Sequence, residues 1–208
     1  VSIVNLNDSM PVFTSASAFT VAENSKSVGT ITATDADLDV LTYVLSGADA
    51  SAFTLSSAGS LQFNTAPNFE VKSSYSITVT ATDGGNNSNV AIVITVTNVN
   101  DVAPVITSGA AFSVAENQAV IGTVVATDVD SASISFSVSG SDLDISSDGV
   151  LSFTSAADFE GINAYSAIVT VSDGTLTTTQ EITVAVTDVD DTFTLADTAV
   201  TLTDYYPL

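Results

Sequence analysis

Hydrophobic residues recur at every second position through much of this chain. Tyr75, Ile77, Val79 and Ala81 alternate with Ser76, Thr78, Thr80 and Thr82, and Val90, Ile92, Ile94 and Val96 repeat the pattern after the turn-forming GGNNSN at 84–89. A period of two sends one set of side chains into a core and the other into water, which predicts β-strands. Shorter runs at 12–15, 18–22, 28–34, 40–46, 52–55 and 60–63 read as further strands. Seven or so short strands divided by turn signals, with no helical period, predict an antiparallel β-sandwich.

The pattern is written twice. FTVAEN at 19–24 returns as FSVAEN at 112–117, and VGTITATDAD at 28–37 as IGTVVATDVD at 121–130. APNFE at 66–70 matches AADFE at 156–160, and YSITVTATDG at 75–84 matches YSAIVTVSDG at 165–174. A polar knot, Asn-x-Asn-Asp-x-x-Pro, stands at 5–11 as NLNDSMP and at 98–104 as NVNDVAP, with a third, shorter copy DVDD at 188–191. The repeating unit is therefore about 90 residues, seen twice, with the knot as its linker. The expected domains are residues 1–100 and 101–191, with 192–208 unassigned: FTLADTAVTLTDYYPL at 193–208 lacks the Pro and the AEN that would open another unit.

Charge narrows the chemistry. Among 208 residues there are 24 Asp and Glu against two Lys and no Arg, a formal net charge of −22. Such a surface excludes ordinary nucleic-acid binding and makes anionic membranes poor partners. Cys, His and Trp are absent, so disulfides, thiolate chemistry, an imidazole base and the usual zinc sites cannot be built. No apolar run is long enough to predict membrane insertion. Neither a signal peptide nor an initiating Met opens the chain, and Val1 reads as a cut inside a longer protein.

The acids sort by recurrence. Glu23, Asp35, Asp37, Glu70, Asp83 and Asp101 return as Glu116, Asp128, Asp130, Glu160, Asp173 and Asp191, whereas Asp144 and Asp148 stand opposite Thr54 and Ala58, and Asp49, Asp142 and Asp197 sit in turn-like or terminal stretches. The recurring acids lie at strand ends, so stacking units end to end would bring Glu23, Glu70 and Asp101 against Asp128, Asp130 and Asp173. Two unit charges about 5 Å apart repel by about 3 kcal/mol at an effective dielectric near 20. Six converging carboxylates require a counter-ion, and all-oxygen ligands, Asn100 included, suit calcium better than zinc or copper.

Taken together and in this order, the A-E-N, D-x-D, N-F-E/D-F-E, D-G and linker motifs resemble cadherin repeats in their bacterial cadherin-like form, over roughly residues 5–191. The resemblance implies two tandem seven-stranded Greek-key β-sandwich domains, cadherin-like and Ig-like, arranged end to end, with up to three Ca2+ at each junction. By that pattern Glu23, Glu70, Asp101 and Asp130, with the Val99 carbonyl, bridge two ions. Asn100, Asp128, Asp130 and Asp173, with the Val102 carbonyl, hold the third. The corresponding half-sites use Asn5, Asn7, Asp8, Asp35, Asp37 and Asp83 upstream, and Glu116, Asp158, Glu160, Asp188, Asp190 and Asp191 downstream. Asn68 and Asn98 stand where the family usually has Asp, which implies weaker binding at the internal junction or only two ions of three.

These features point to a calcium-binding structural or adhesive repeat segment of a large bacterial cell-surface or secreted protein. Its expected partners are calcium ions and neighbouring repeats of the same chain. The alternative is a module for calcium-dependent homophilic or carbohydrate adhesion. Docking through an N-terminal Trp, as in the classical cadherins the chain resembles, is excluded because Trp is absent. Phe53, Phe63 and Tyr75 fall at strand positions and read as core rather than as a sugar platform. Catalysis is not expected, since carboxylates clustered without His, Lys or Arg hold ions better than they move protons.

Overall fold

The computed structural model describes residues 6–131 and 133–190. The chain divides into two compact units, Val1–Val102 with Val129–Ala132, and Ala103–Asp128 with Ser133–Leu208. Asn5, Asp191 and the tail at 192–208 lie outside the described residues.

The first unit contains β1 (Val12–Phe13), β2 (Ala18–Ala22), β3 (Ser27–Thr30), β4 (Ala33–Thr34), β5 (Thr42–Ser46), β6 (Phe53–Leu55), β7 (Ser60–Phe63), β8 (Ser74–Thr82) and β9 (Asn87–Thr97). A four-stranded sheet runs β2-β9-β8-β5, a three-stranded sheet runs β3-β7-β6, and β1 pairs with β4. The second unit repeats this with β10 (Val105–Ile106), β11 (Ala111–Ala115), β12 (Val120–Thr123), β13 (Ala126–Thr127), β14 (Ser135–Val138), β15 (Leu143–Ile145), β16 (Val150–Phe153), β17 (Ala164–Ser172) and β18 (Thr177–Thr187). Its sheets run β11-β18-β17-β14 and β12-β16-β15, with β10 on β13. Each unit is thus a seven-path Greek-key sandwich in which the first two paths are broken in two.

One break departs from the pattern of the sequence. The run at 28–34 was expected to be continuous, but β3 pairs with β7 and shifts register between Ser27 and Gly29, whereas β4 pairs with β1. Between them the Ile31 amide bonds to the Gly59 carbonyl at 2.8 Å, and the Thr32 carbonyl accepts from Thr14 and Ser15. Changing partners bends the path, so one hydrophobic run becomes two strands. The first run, 12–15, contracts to two residues for the same reason. The turn expected at 84–89 is also shorter, because Asn87, Ser88 and Asn89 already pair with Thr82, Ala81 and Thr80.

The alternation does what its period requires. Ile77, Val79 and Ala81 are 1%, 0% and 0% exposed on β8, and Ile92, Ile94 and Val96 face them from β9 at 0%, 0% and 1%. Val169, Val171, Ile182, Val184 and Val186 form the matching layer of the second unit. Each such side chain contributes about 1.5–3 kcal/mol by leaving water. The aromatic positions belong to this core: the Phe53, Phe63 and Tyr75 rings pack on one another, with centroids 4.4, 5.6 and 5.0 Å apart.

Asp49, read from sequence as a surface turn residue, pairs with Lys72 and accepts the Ser76 amide at 2.8 Å. The Lys72 hydrogen bond, helped by that amide, holds its carboxyl below the ordinary 3.8. A lowered acid adds stability above its unfolded pKa and loses it as the pH falls through the folded one. Asp49→Asn should therefore cost about 0.5–1 kcal/mol in urea unfolding at pH 7, and the gap from the parent chain should close as the pH is taken below 3.8.

Candidate cation-binding sites

Each unit buries one glutamate. Glu23 follows β2 and is 3% exposed, and Glu116 follows β11 and is 1% exposed. Their carboxylates are bound in the same way. Glu23 accepts the Phe69 amide at 2.8 Å on Oε2 and the Val99 amide at 2.7 Å on Oε1. Glu116 accepts the Phe159 amide at 2.9 Å and the Val189 amide at 2.7 Å. The Asn after each glutamate takes the left-handed backbone, φ 63° at Asn24 and 62° at Asn117. Asn tolerates that region better than most residues. The turn also lets the Asn24 amide reach the Pro67 carbonyl and the Asn117 amide the Ala157 carbonyl. The A-E-N motif is therefore a strand terminator that pins the NFE or DFE loop and the end of the last strand to one buried carboxylate.

Around Glu23 the sequence-predicted acids gather. Oxygen atoms of Glu23, Glu70 and Asp101 lie within 4.8 Å of one another, as do those of Glu116, Asp158 and Glu160 in the second unit. An ion with Ca–O distances of about 2.4 Å spans that separation. The Asn24 side-chain amide donates to Asp101. Asn100 offers an Oδ1 that is buried and receives no hydrogen bond. A contact with its own amide lowers the Glu70 carboxyl, but burial and the charges of Glu23 and Asp130 outweigh it and leave it raised.

Asp130 falls with the first unit. One of its oxygens accepts the Asp101 amide at 2.8 Å and the Val102 amide at 2.5 Å. Asp37 does the same upstream, accepting Asp8 at 3.0 Å and Ser9 at 2.8 Å. The Ser9 amide, ahead of that of Asp8, holds the Asp37 carboxyl low. The second Asp of each D-x-D motif thus fixes the linker backbone through one oxygen. The D-G aspartates close their own turns. Asp83 Oδ1 accepts Gly85 and Asn86 at 2.7 and 2.6 Å, and Asp173 Oδ1 accepts Thr175 and Leu176 at 2.6 and 2.6 Å. The Asn86 amide above all holds Asp83 down to about 2. Asn7 completes this end of the first unit, donating to the Asp83 carbonyl at 3.3 Å and accepting from Asn86 at 2.8 Å.

The two Asn residues that replace family aspartates have backbone roles. Asn68 Oδ1 accepts the Val71 amide at 2.8 Å, and Asn98 donates to the Asp130 carbonyl at 2.8 Å. Asp158, at the place of Asn68, accepts Glu160 at 3.1 Å. Asp128 directly follows β13 in the second unit, and Asp188 and Asp190 are exposed beyond β18. The chain's two cations are used elsewhere: Lys72 on Asp49, and Lys26 on the Asn64 carbonyl at 2.9 Å. Asp39, which the recurrence of acids passes over, lies with Asp35 and Asp37 in a third three-carboxylate group within 4.8 Å.

The bacterial Ig domain profile matches residues 7–97 and again 100–187. This chain belongs to the bacterial Ig domain family. Its two repeats are cadherin-like members of that family, similar to protocadherin Fat 4 of Mus musculus and of Homo sapiens. Each relative is 32% identical over 212 residues, covering 92% of this chain and 4% of the relative's length. The fold matches human protocadherin-24 EC1-2 with a TM-score of 0.77 at 20% identity, over 88% of this chain and 99% of that one. Protocadherin gamma B2 cadherin domains 3–6 give 0.75 at 26% identity, over 90% and 52%. The matched protocadherin gamma B2 domains are extracellular cadherin domains. Among the described residues no helix is long and apolar enough to cross a membrane.

Proposed function

We propose that this chain is a calcium-binding structural and adhesive segment of a large bacterial cell-surface or secreted protein, its repeats running 1–100 and 101–191. Calcium is held at the ends of the units, where it neutralises the acids and stiffens the succession of repeats. The observation that carries this reading is the buried glutamate of each unit. Glu23 and Glu116 spend buried carboxylates beside two further acids, with both lysines of the chain engaged elsewhere. Burying one carboxylate among others is costly unless a cation compensates it. Oxygen-only donors at these separations fit a hard cation of high coordination number.

Glu23, Glu70 and Asp101, with Asn100, would hold calcium in the first unit, and Glu116, Asp158 and Glu160 in the second. Asp130 joins the first set through its tie to the linker. Asp35, Asp37 and Asp83, and their counterparts Asp128 and Asp173, belong to the opposite ends of their own units.

Chelation tests the reading. Extracellular modules bind calcium at about 10⁻⁴–10⁻³ M, so a tenfold excess adds about 1.4 kcal/mol per site. Removing calcium should lower the melting temperature and raise the radius of gyration in solution scattering. Superimposable melting and scattering curves with and without calcium would overturn it. In millimolar calcium the pair should sediment as a monomer, and calcium-dependent dimers or saturable glycan binding would favour direct adhesion over a spacer role.

A further inference from the structure

The first unit carries a group of acids that its second copy cannot reproduce. Asp35, Asp37 and Asp39 alternate along the segment DADLD, and their carboxylate oxygens lie within 4.8 Å of one another. At the place of Asp39 the second repeat has Ala132. Asp35 is only 8% exposed, and its Oδ2 is buried with no group among the described residues donating to it, while Oδ1 accepts the Asp37 amide at 2.8 Å. Asp39 Oδ2 is likewise buried without a hydrogen bond. Two shielded acceptor oxygens that no donor among the described residues satisfies, in one group of three carboxylates, call for a ligand that supplies positive charge. No lysine serves them, since both lysines are engaged elsewhere in the chain.

Resting on the calcium reading above, we infer that Asp39 is an additional metal ligand, and that the loop Asp35–Asp39 gives the first unit a cation site built almost entirely from one short segment. Carboxylates at alternate positions are the arrangement that calcium loops use to wrap one ion with consecutive side chains. Here the turn that brings them round is closed by the Leu38 amide on the Asp35 carbonyl at 3.3 Å. The first unit thus holds a divalent cation of calcium's class at this end more tightly than the second unit does at its equivalent end.

The test uses the whole chain, Asp39→Asn, and Asp148→Asn as an exposed acid of equal charge. Calorimetric titration with Ca2+ should show one site weakened about tenfold in Asp39→Asn and no change in Asp148→Asn. Melting should separate a ligand from a surface charge. Asp39→Asn should melt at or above the parent temperature in chelator, where it relieves repulsion, and below it in millimolar calcium. If the parent chain binds no calcium, the proposed function falls and this inference with it. If the parent binds calcium and Asp39→Asn titrates identically, or shifts melting equally in both buffers, only the role of Asp39 is overturned.

Discussion

Glu116→Ala should cost the second unit about 3 kcal/mol in calcium. The substitution removes the acceptor of the Phe159 and Val189 amides, bonded at 2.9 and 2.7 Å. Glu116 is 1% exposed, so water has little access to replace it. Each orphaned amide costs about 1–3 kcal/mol. In chelator the loss should shrink, because deleting the charge also relieves its repulsion with Asp158 and Glu160. Glu116→Gln keeps one carbonyl acceptor and should recover roughly half of the deficit. Urea unfolding in the two buffers reads all of this, and a Glu116→Ala penalty below about 1 kcal/mol in calcium would show that the glutamate does not hold the loop and strand end together.

Gly149→Ala should be as damaging, for a backbone reason. Gly149 has φ +80°, and an added Cβ would stand 2.2 Å from the Val124 carbonyl oxygen. The Val124 amide already bonds to the Gly149 carbonyl at 2.8 Å, so neither segment can give way without losing that bond. Gly59 repeats the arrangement in the first unit, with φ +82° and a Cβ position 2.0 Å from the Ile31 oxygen. The left-handed conformation alone costs an L-residue about 1–2 kcal/mol, and displacing the strand brings the total to about 4 kcal/mol. Gly174 separates the two contributions. At φ +96° nothing lies within 4 Å of its added Cβ, so Gly174→Ala should show the conformational cost alone, about 1–2 kcal/mol. Equal penalties at Gly149 and Gly174 in chemical denaturation would rule out the close approach as the cause.

The strands that were legible in the sequence are those whose one face is buried along their length. Tyr75 to Ala81 keeps the period of two because β8 lies between two strands and has one wet side. The break at Ile31 and Thr32 was hidden, because it depends on which strand each half meets. The start of β9 was hidden because Asn87 and Asn89 are polar on a strand. Recurrence picked out Glu23, Glu70, Asp101, Glu116 and Glu160 of the glutamate clusters, and Asp158 came only from the resemblance; nothing local to Glu23 tells that its donors are Phe69 and Val99, 46 and 76 residues away. The same criterion discarded Asp39, since a residue peculiar to one copy leaves no echo. Asn68 and Asn98 came from the resemblance and not from recurrence, and the bonds they make, to the Val71 amide and to the Asp130 carbonyl, leave no mark in the local sequence.

In both units the strand that enters the larger sheet and the strand that leaves it run side by side in the same direction, β2 on β9 from Ala18↔Val93 to Ala22↔Thr97 and β11 on β18 from Ala111↔Thr183 to Ala115↔Thr187. Tension applied along the polypeptide therefore pulls these two strands past each other. Their hydrogen bonds lie across the direction of pull and must fail together, whereas a hairpin opened from its end gives them up one at a time. Forced unfolding is governed by the height of that barrier. Each unit is built as a shear clamp, and a protein made of such units would bear stretching loads without lengthening until the clamp breaks.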